Sequence, residues 1–572
     1  MNVLSKIDFC PKLFTELRTY NLKKFQADLI AGIVVGIVAL PLAIAFGIAS
    51  GVSPSIGLIT AIIGGFLVSA LGGNSVQIGG PTGAFIVIVY GIIQRFGLEG
   101  LAIATLMAGL ILVLMGLFHL GTVIKFIPYP IVVGFTAGIA LTILTTQVND
   151  FFGLGLTDLP GDFLSKWGVY FSNFGNIDVA TLCVSLLSLA IIIVTPKISK
   201  RLPGALTAII IVTGLVWFLN NYYPEYAVTT IGDRFGNLPT DIPQPKGFSL
   251  SMETINLLLP SAFTIAVLGA IESLLSATVA DGVTGSRTNT NTELIGQGVA
   301  NIVVPFFGGI PVTGAIARTM TNISNGGRTP IAGIVHAIVL LLIFIFLMPL
   351  INYVPMACLA AVLVIVSYNM SGWRTIAGLM HAPKSDISVM AVTFLLTVIF
   401  DLTIAIEIGL LLAVFLFLKR VMENTHIKVY SRQLDVAEDT DLDAAHHEVL
   451  DVLPGVSVYE IDGPFFFGIA TKFDEIMRST VGDKPKVRII RMRKVPFVDS
   501  TALHNLELLI KASQNEGIHV VLSGVKENVR ETLLHAGIDK LVGTDHICSH
   551  ISVAVKMANA IVSGESDAQL PK

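Results

Sequence analysis

The sequence predicts an α-helical polytopic membrane protein of about fourteen transmembrane segments in a seven-plus-seven inverted repeat, followed by a small α/β domain. Three observations carry this reading. The 572-residue chain is 53% hydrophobic and 13% charged, with a mean hydropathy of +0.78. Soluble globular chains carry about 25% charged residues, so much of this chain needs a nonaqueous solvent. Apolar runs of near-spanning length follow one another as far as Lys419-Arg420, where the composition shifts sharply. Finally, a short motif rich in Gly and Pro recurs once, at a separation that also relates a second pair of segments.

The first apolar run begins near Ala27, behind a charged head containing Lys6, Lys12, Arg18, Lys23 and Lys24. It lacks a small-residue cleavage site close behind it, so it reads as a retained span. About fourteen runs reach, or nearly reach, the roughly 20 residues needed per crossing, although several are too short or too interrupted to be ordinary spans. They lie near 27–48, 56–71, 76–92, 100–119, 128–147, 179–195, 204–221, 256–280, 294–307, 312–324, 331–350, 354–370, 386–402 and 404–420.

Loop charge fits this count. With the N-terminus inside, the basic head, Lys125, Lys197-Lys200-Arg201, Arg287, Arg328, the stretch from Arg374 to Lys384, and Lys419-Arg420 all fall on the cytoplasmic side, as the positive-inside rule requires. The two long loops on the other side, 148–178 and 222–255, carry Asp150, Asp158, Asp162, Glu225, Asp233 and Asp241. An even number of spans places both termini in the cytoplasm, and the inner (plasma) membrane is the expected location.

Residues 421–455 are polar, with Glu438-Asp439, Asp441, Asp443 and His446-His447, and read as a linker; the His pair alone does not make a metal site. Strand-like runs then alternate with helical ones. Strands are expected at 456–461, 465–467, 486–492 and 518–523, with helices at 471–480, 500–513 and 526–536. The division is therefore an N-terminal segment 1–26, a membrane domain 27–421, a linker 422–455, an α/β domain 456–562 and a disordered tail 563–572. Cys10, Cys183, Cys358 and Cys548 are scattered and read as free thiols. A net charge of −4 and the lack of a basic tract argue against nucleic acid as a partner.

The repeat points to the site. Gly79-Gly80-Pro81-Thr82-Gly83-Ala84 resembles Gly308-Gly309-Ile310-Pro311-Val312-Thr313-Gly314-Ala315, and aligning the Thr-Gly-Ala triplets gives an offset of 231. The same offset places Ala49-Ser50-Gly51 on Ala280-Asp281-Gly282. Each half then holds about seven spans, and an odd number inverts the second copy. Gly and Pro break a helix in mid-membrane and expose backbone groups that hydrocarbon does not satisfy. A helix restarting after the break offers free N–H groups and its positive dipole end, which together favour an anion. Thr82 and Thr313 would add hydroxyl donors, and Gly83 and Gly314 would admit a ligand close to the backbone. The alternative, that the glycines serve helix packing only, suits Gly32 and Gly36 better than the Pro-bearing triplets.

Charge within a span is costly and usually functional, and Glu272 and Arg318 are the two such residues near the repeat. Arg318, one turn beyond Gly314, is a natural counter-charge for an anion. Glu272 is unsuited to binding an anion directly, but a buried carboxylate takes up a proton readily, so anion and proton would travel together. A Glu272–Arg318 ion pair, or a sodium site using Glu272 and Ser276, are the alternatives. Asp401 and Glu407 read as interfacial. No nucleophile–base arrangement, phosphate loop or metal cluster argues for an enzyme, and no cofactor is expected.

The chain resembles the SulP family of anion transporters over about residues 25–560. The resemblance rests on ALPLAIAFGIASG (39–51), GGPTGA (79–84), GAIESLLSA (269–277), QGVAN (297–301) and PVTGAIART (311–319). The C-terminal domain is similar to a STAS domain, with Asp499-Ser500-Thr501 at its signature loop. The resemblance implies a core and a gate that rock against each other, a substrate held between the third and tenth helices, and a homodimer. It carries Thr82, Phe85, Thr313 and Arg318 to the substrate site and Glu272 to the cation-like position of the eighth helix; with the rest of the two triplets, Gly83, Ala84, Gly314 and Ala315, and with Ser276 one turn from Glu272, these are the expected substrate-binding and ion-coupling residues. Ser500 matches a phosphate-accepting serine, although Asp499 is also an ordinary N-cap. The stretches NMS (369–371), HAPKSD (381–386) and TVIFDLTIAI (397–406) look closest to members that carry C4-dicarboxylates. The expected function is proton-coupled transport of sulfate or a C4-dicarboxylate. The alternatives are bicarbonate uptake with sodium, electroneutral anion exchange, or a membrane anion sensor whose STAS domain reports to a cytoplasmic protein.

Overall fold

The computed structural model describes residues 9–122, 128–157, 159–199, 203–239, 241, 243–248, 251–400, 402–430, 433–435, 449–479 and 485–564. Lys6, Lys125, Asp158, Lys200, Arg201, Asp401, Glu438, Asp439, Asp441, Asp443, His446, His447 and residues 565–572 lie outside the described residues. The chain forms two compact units, Met1–Ala413 and Val414–Lys572.

Among the described residues, fourteen helical segments build the membrane domain. They are α1 (Leu22–Ala49), α2 (Pro54–Leu71), α3 (86–96), α4 (98–117), α5 (Tyr129–Phe152), α6 (Val179–Ile198), α7 (Gly204–Tyr222), α8 (Met252–Thr284), α9 (Thr290–Val303), α10 (Ile316–Ser324), α11 (Pro330–Ile351), α12 (Met356–Met370), α13 (Lys384–Ile399) and α14 (Leu402–Asn424). Each overlaps one of the apolar runs read from the sequence, but the run at 76–92 meets α3 only from residue 86, because its first part is the non-helical break. Among the described residues, nine helices are long and apolar enough to cross a membrane, counting Gly83–Leu117 once. That stretch is two helices, because Gly97 sits at φ 68° and ψ −172° and breaks it.

The segments pack in two groups. In the first, α1 to α4 pack with α8 to α11: α9 lies on α4, α11 on α1 and α2, and α10 on α1 and α8. In the second, α12 and α13 lie on α5, and α6 lies on α7 and α12. Lipid supplies no hydrophobic drive between helices, so close contact depends on small residues. A Cβ on Gly32 would lie 2.5 Å from Ala332 O, and one on Gly36 would lie 2.7 Å from Val339 Cγ1, so these two glycines let α1 and α11 touch.

The repeat is visible in the first group. The starts of α1 and α8, of α3 and α10, and of α4 and α11 are 230–232 positions apart (22 and 252, 86 and 316, 98 and 330). The second group drifts from that offset. The connection 153–178 contains the extra helix Phe163–Asn173, while the shorter 371–383 holds only Trp373–Leu379.

The second unit is a five-stranded sheet in the order β3-β6-β7-β8-β9, formed by β3 (His426–Tyr430), β6 (Val456–Asp462), β7 (Val487–Arg491), β8 (His519–Ser523) and β9 (Ile547–Cys548). β3 is antiparallel to β6, and the other pairs are parallel. A separate hairpin joins β4 (Gln433–Asp435) to β5 (Val449–Asp451). Alternation along the strands splits their side chains between two apolar layers. Tyr459, Ile490 and Leu522 face α15 (Phe467–Ser479), α16 (Ser500–Asn515), α17 (Glu527–His535) and α18 (Ile538–Val542). Val458, Ile489 and Val521 face α19 (Ile551–Ser563). Residues 426–430, read as linker above, form an edge strand whose mostly exposed side chains hide the period-two signal. The expected strand at 465–467 is a single bridge, Phe465 to Val498, after which Phe467 opens α15.

Candidate functional site

The two broken segments meet. Gly79–Gly80 (β1) and Thr313–Gly314 (β2) form a two-stranded antiparallel ladder, with Gly79 opposite Gly314 and Gly80 opposite Thr313. Equivalent segments of two inverted copies run in opposite directions, so an antiparallel pair is the arrangement such a repeat requires. The glycines are sterically obligatory. Gly80 has φ +152°, and a Cβ there would lie 2.1 Å from Arg318 Nη1. A Cβ on Gly314 would lie 1.6 Å from Gln77 Nε2.

Other polar residues complete the backbone pairing that the breaks disrupt. Asn301 Oδ1 accepts from Val312 N at 2.9 Å, and its Nδ2 donates to Val312 O at 2.8 Å. Thr60 Oγ1 accepts from Ile310 N at 2.9 Å, Thr319 Oγ1 accepts from Ile78 N at 3.1 Å, and Asn322 Nδ2 donates to Val76 O at 2.8 Å. Glu293, fully buried, accepts from Gly73 N at 2.8 Å and Asn74 N at 3.1 Å. All but the Asn301 clamp, which spans 11 positions, join residues from opposite halves of the domain. No local spacing announces them, apart from polar residues recurring inside apolar runs.

Beyond the ladder each chain turns into a helix. A single 3₁₀ turn, Gly83–Phe85, leads into α3, and α10 begins at Ile316. No side chain caps either start. The Thr82 hydroxyl is instead directed to Glu272, donating to Oε2 at 2.8 Å, and Ala315 has no capping group. Both helices thus present uncapped N–H groups beside a common cavity of about 420 Å³.

That cavity is lined by Thr82 and Gly83 from the first break, and by Gly314, Ala315 and Arg318 from the second. Glu272 of α8 and Asn369 of α12 add polar groups, while Phe46, Phe135, Val366 and Met370 supply much of the apolar wall. Arg318 is 1% exposed; its Nη1 donates to Gly79 O at 3.5 Å and its Nη2 to Pro81 O. A guanidinium has five N–H donors, so others remain for a ligand. No ion pair joins Arg318 to Glu272 among the described residues; the side chain bonded to Glu272 is Thr82.

The remaining expected residues are not among those that line this cavity. Ala84 and Phe85 are buried, with the Phe85 ring against Gly269 of α8. Thr313 Oγ1 lies 2.7 Å from Ser273 Oγ and donates to Gly269 O at 3.0 Å. Ser276 Oγ donates to Thr319 Oγ1 at 3.3 Å. Ser500 is exposed at the first turn of α16, where Asp499 caps the helix by accepting from Ala502 N at 2.8 Å. Glu407 is exposed on α14.

The sequence pattern of the sulfate permease family matches residues 25–393, and that of the STAS domain matches residues 449–554. The chain belongs to the sulfate permease family. It is a multi-pass membrane transporter of that family with a C-terminal STAS domain, not an enzyme. A putative sulfate transporter, YvdB of Bacillus subtilis (strain 168), is 41% identical, with 93% of this chain and 97% of the relative covered. The bicarbonate transporter BicA of Picosynechococcus sp. (strain ATCC 27264 / PCC 7002 / PR-6) is 29% identical, over 88% of this chain and 89% of the relative. Among solved structures, murine SLC26A9 in the inward-facing state matches with a TM-score of 0.84 at 19% identity, covering 96% of this chain and 94% of that one. The transmembrane domain of a cyanobacterial BicA matches with a TM-score of 0.60 at 27% identity, covering 69% of this chain and 98% of that one. The family membership fits the two inverted breaks that close on one cavity.

Proposed function

We propose that this sulfate permease family member carries a small oxyanion or carboxylate, sulfate or a C4-dicarboxylate, together with a proton. The observation that supports coupling is the 2.8 Å bond from Thr82 Oγ1 to Glu272 Oε2, with both residues lining the cavity. When Glu272 is ionised, its carboxylate only accepts, so it consumes the one hydrogen of Thr82 and repels an incoming anion. When Glu272 is protonated, it donates to Thr82 Oγ1. The hydroxyl hydrogen of Thr82 then turns towards the cavity, beside the uncapped N–H groups of α3 and α10 and the spare donors of Arg318. Loading a proton thus removes a negative charge and adds a donor at one position.

The anion is held between the two helical groups, and a rocking of α1–α4 and α8–α11 against α5–α7 and α12–α14 exposes it to either side. Two copies form the working unit in the inner membrane, with both termini in the cytoplasm and the STAS domain free to meet a cytoplasmic protein. The apolar wall of Phe46, Phe135, Val366 and Met370 suits the methylene chain of a dicarboxylate better than it suits bare sulfate.

Bicarbonate uptake with sodium, or electroneutral exchange, is the second reading, favoured by the similarity to BicA. Uptake by purified protein in proteoliposomes, with and without an inward proton gradient, separates the readings. Accumulation of labelled succinate or sulfate that requires the gradient supports symport. Accumulation of bicarbonate driven by sodium, or counterflow indifferent to pH, supports the alternatives, and binding without flux supports a sensor.

A further inference from the structure

The parallel strands β7, β8 and β9 end on one side of the STAS sheet, at Arg491, Ser523 and Cys548. In open α/β sheets the crevice beyond the carboxyl ends of the strands is where ligands bind. Here it is a cavity of about 250 Å³, lined among others by Arg491, Arg493, Ser523, Lys526, Ser549 and His550. The lining contains three cationic side chains and a histidine, and no carboxylate. Glu460 approaches Arg491 Nη1 at 3.6 Å and Lys494 Nζ at 3.7 Å, and Glu527 opens the helix after Lys526, but neither is among the lining residues.

Ser523 supplies an independent sign of a ligand. Its side chain is fully buried, and among the described residues Oγ has no hydrogen-bond partner. Buried hydroxyls are nearly always paired, and this one sits on the wall of the cationic cavity. Two helices start at the same place. α17 begins after Lys526 with no side-chain cap, whereas α19 begins after His550, whose Nδ1 accepts from Ser552 N at 3.3 Å. The turn between β8 and α17 is shaped for close approach: Gly524 has φ +66°, and a Cβ there would meet Arg493 Cβ at 3.0 Å. Helix N-termini favour anions through their dipoles and free N–H groups.

We propose that this crevice binds a dianionic tetrahedral oxyanion, either free sulfate or phosphate or the phosphate of a phosphomonoester. Ser523 Oγ donates from the floor, Lys526 and Arg493 neutralise the charge from the rim, and the first turn of α17 supplies backbone N–H groups. The site is built from residues of the second unit alone and does not depend on the transport reading.

The test is hydrogen–deuterium exchange, read by mass spectrometry on the full-length protein in nanodiscs. Separate titrations use sodium sulfate, sodium phosphate and AMP, each against sodium chloride at matched ionic strength. The expected result is slower exchange over residues 523–530 with at least one of the three and none with chloride. Slowing by the inorganic salts identifies a free oxyanion, and slowing by AMP alone identifies a phosphomonoester. Lys526→Gln, at an exposed position, abolishes the slowing while exchange of the β6–β8 strands stays unchanged; Ser523→Ala does the same. No slowing with any of the three, slowing reproduced by chloride, or slowing that survives Lys526→Gln overturns the proposal.

Discussion

Arg318, on α10, donates through Nη2 to the carbonyl oxygen of Pro81, in the segment leading into α3. One buried side chain from the second half of the repeat therefore satisfies backbone that the first half exposes by breaking its helix. Its Nη1 reaches Gly79 O as well, at 3.5 Å. Arg318→Lys removes the planar fork that meets both carbonyls. The expected result is at least a tenfold fall in transport and a lower melting temperature in detergent. Arg318→Ala goes further, since each buried carbonyl left unpaired costs about 1–3 kcal/mol. Uptake assays and thermal unfolding of the two variants check this order.

Gly80→Ala is expected to disable the protein. The added Cβ would lie 2.1 Å from Arg318 Nη1, at a φ of +152° that side chains rarely adopt. Gly91→Ala is the matched control, because a Cβ there meets nothing within 4 Å. Transport and monodispersity should be lost in the first variant and retained in the second.

Asn301→Ala tests the clamp on the second break. It leaves the N–H and C=O of Val312 without the partners that Asn301 provides. Two buried backbone groups at about 1–3 kcal/mol each predict a loss of roughly 2–6 kcal/mol. Thermal unfolding should shift down by several degrees, with residual transport lower than the wild type at any temperature.

In the STAS domain, burial pushes the Cys548 thiol up from its ordinary value. The thiol therefore stays protonated, and unreactive, to a higher pH than an ordinary cysteine. Thiol alkylation at mildly alkaline pH should modify exposed Cys10 well before Cys548, and denaturant should remove the difference. Equal rates in the folded protein would contradict the burial of Cys548.

Much of the architecture was legible because its signals are local. Apolar run length locates the nine described stretches long enough to span, and the glycines and prolines around Pro81 and Pro311 locate the breaks from which the short α3 and α10 start. Partners across the domain were not legible. Asn301, Thr60 and Asn322 are ordinary polar residues until the fold brings Val312, Ile310 and Val76 to them. Sequence reading also left Glu272 between a proton site, a sodium site and an ion pair with Arg318. The structure bonds Glu272 to Thr82 and engages Arg318 with backbone carbonyls. Helical spacing does not reveal this, because the competing acceptors come from the unpaired backbone of the other half. The edge strand His426–Tyr430 was missed because one-sided packing at a sheet edge leaves little alternation to read.

Coupling through Glu272 is tested most directly by Glu272→Gln in proteoliposomes. Glutamine keeps the shape and donates permanently to Thr82, as the protonated acid does. The account predicts that the variant still exchanges labelled substrate across the membrane, at a rate independent of pH, but no longer accumulates it against a proton gradient. Gradient-driven accumulation equal to that of the unaltered protein would contradict it.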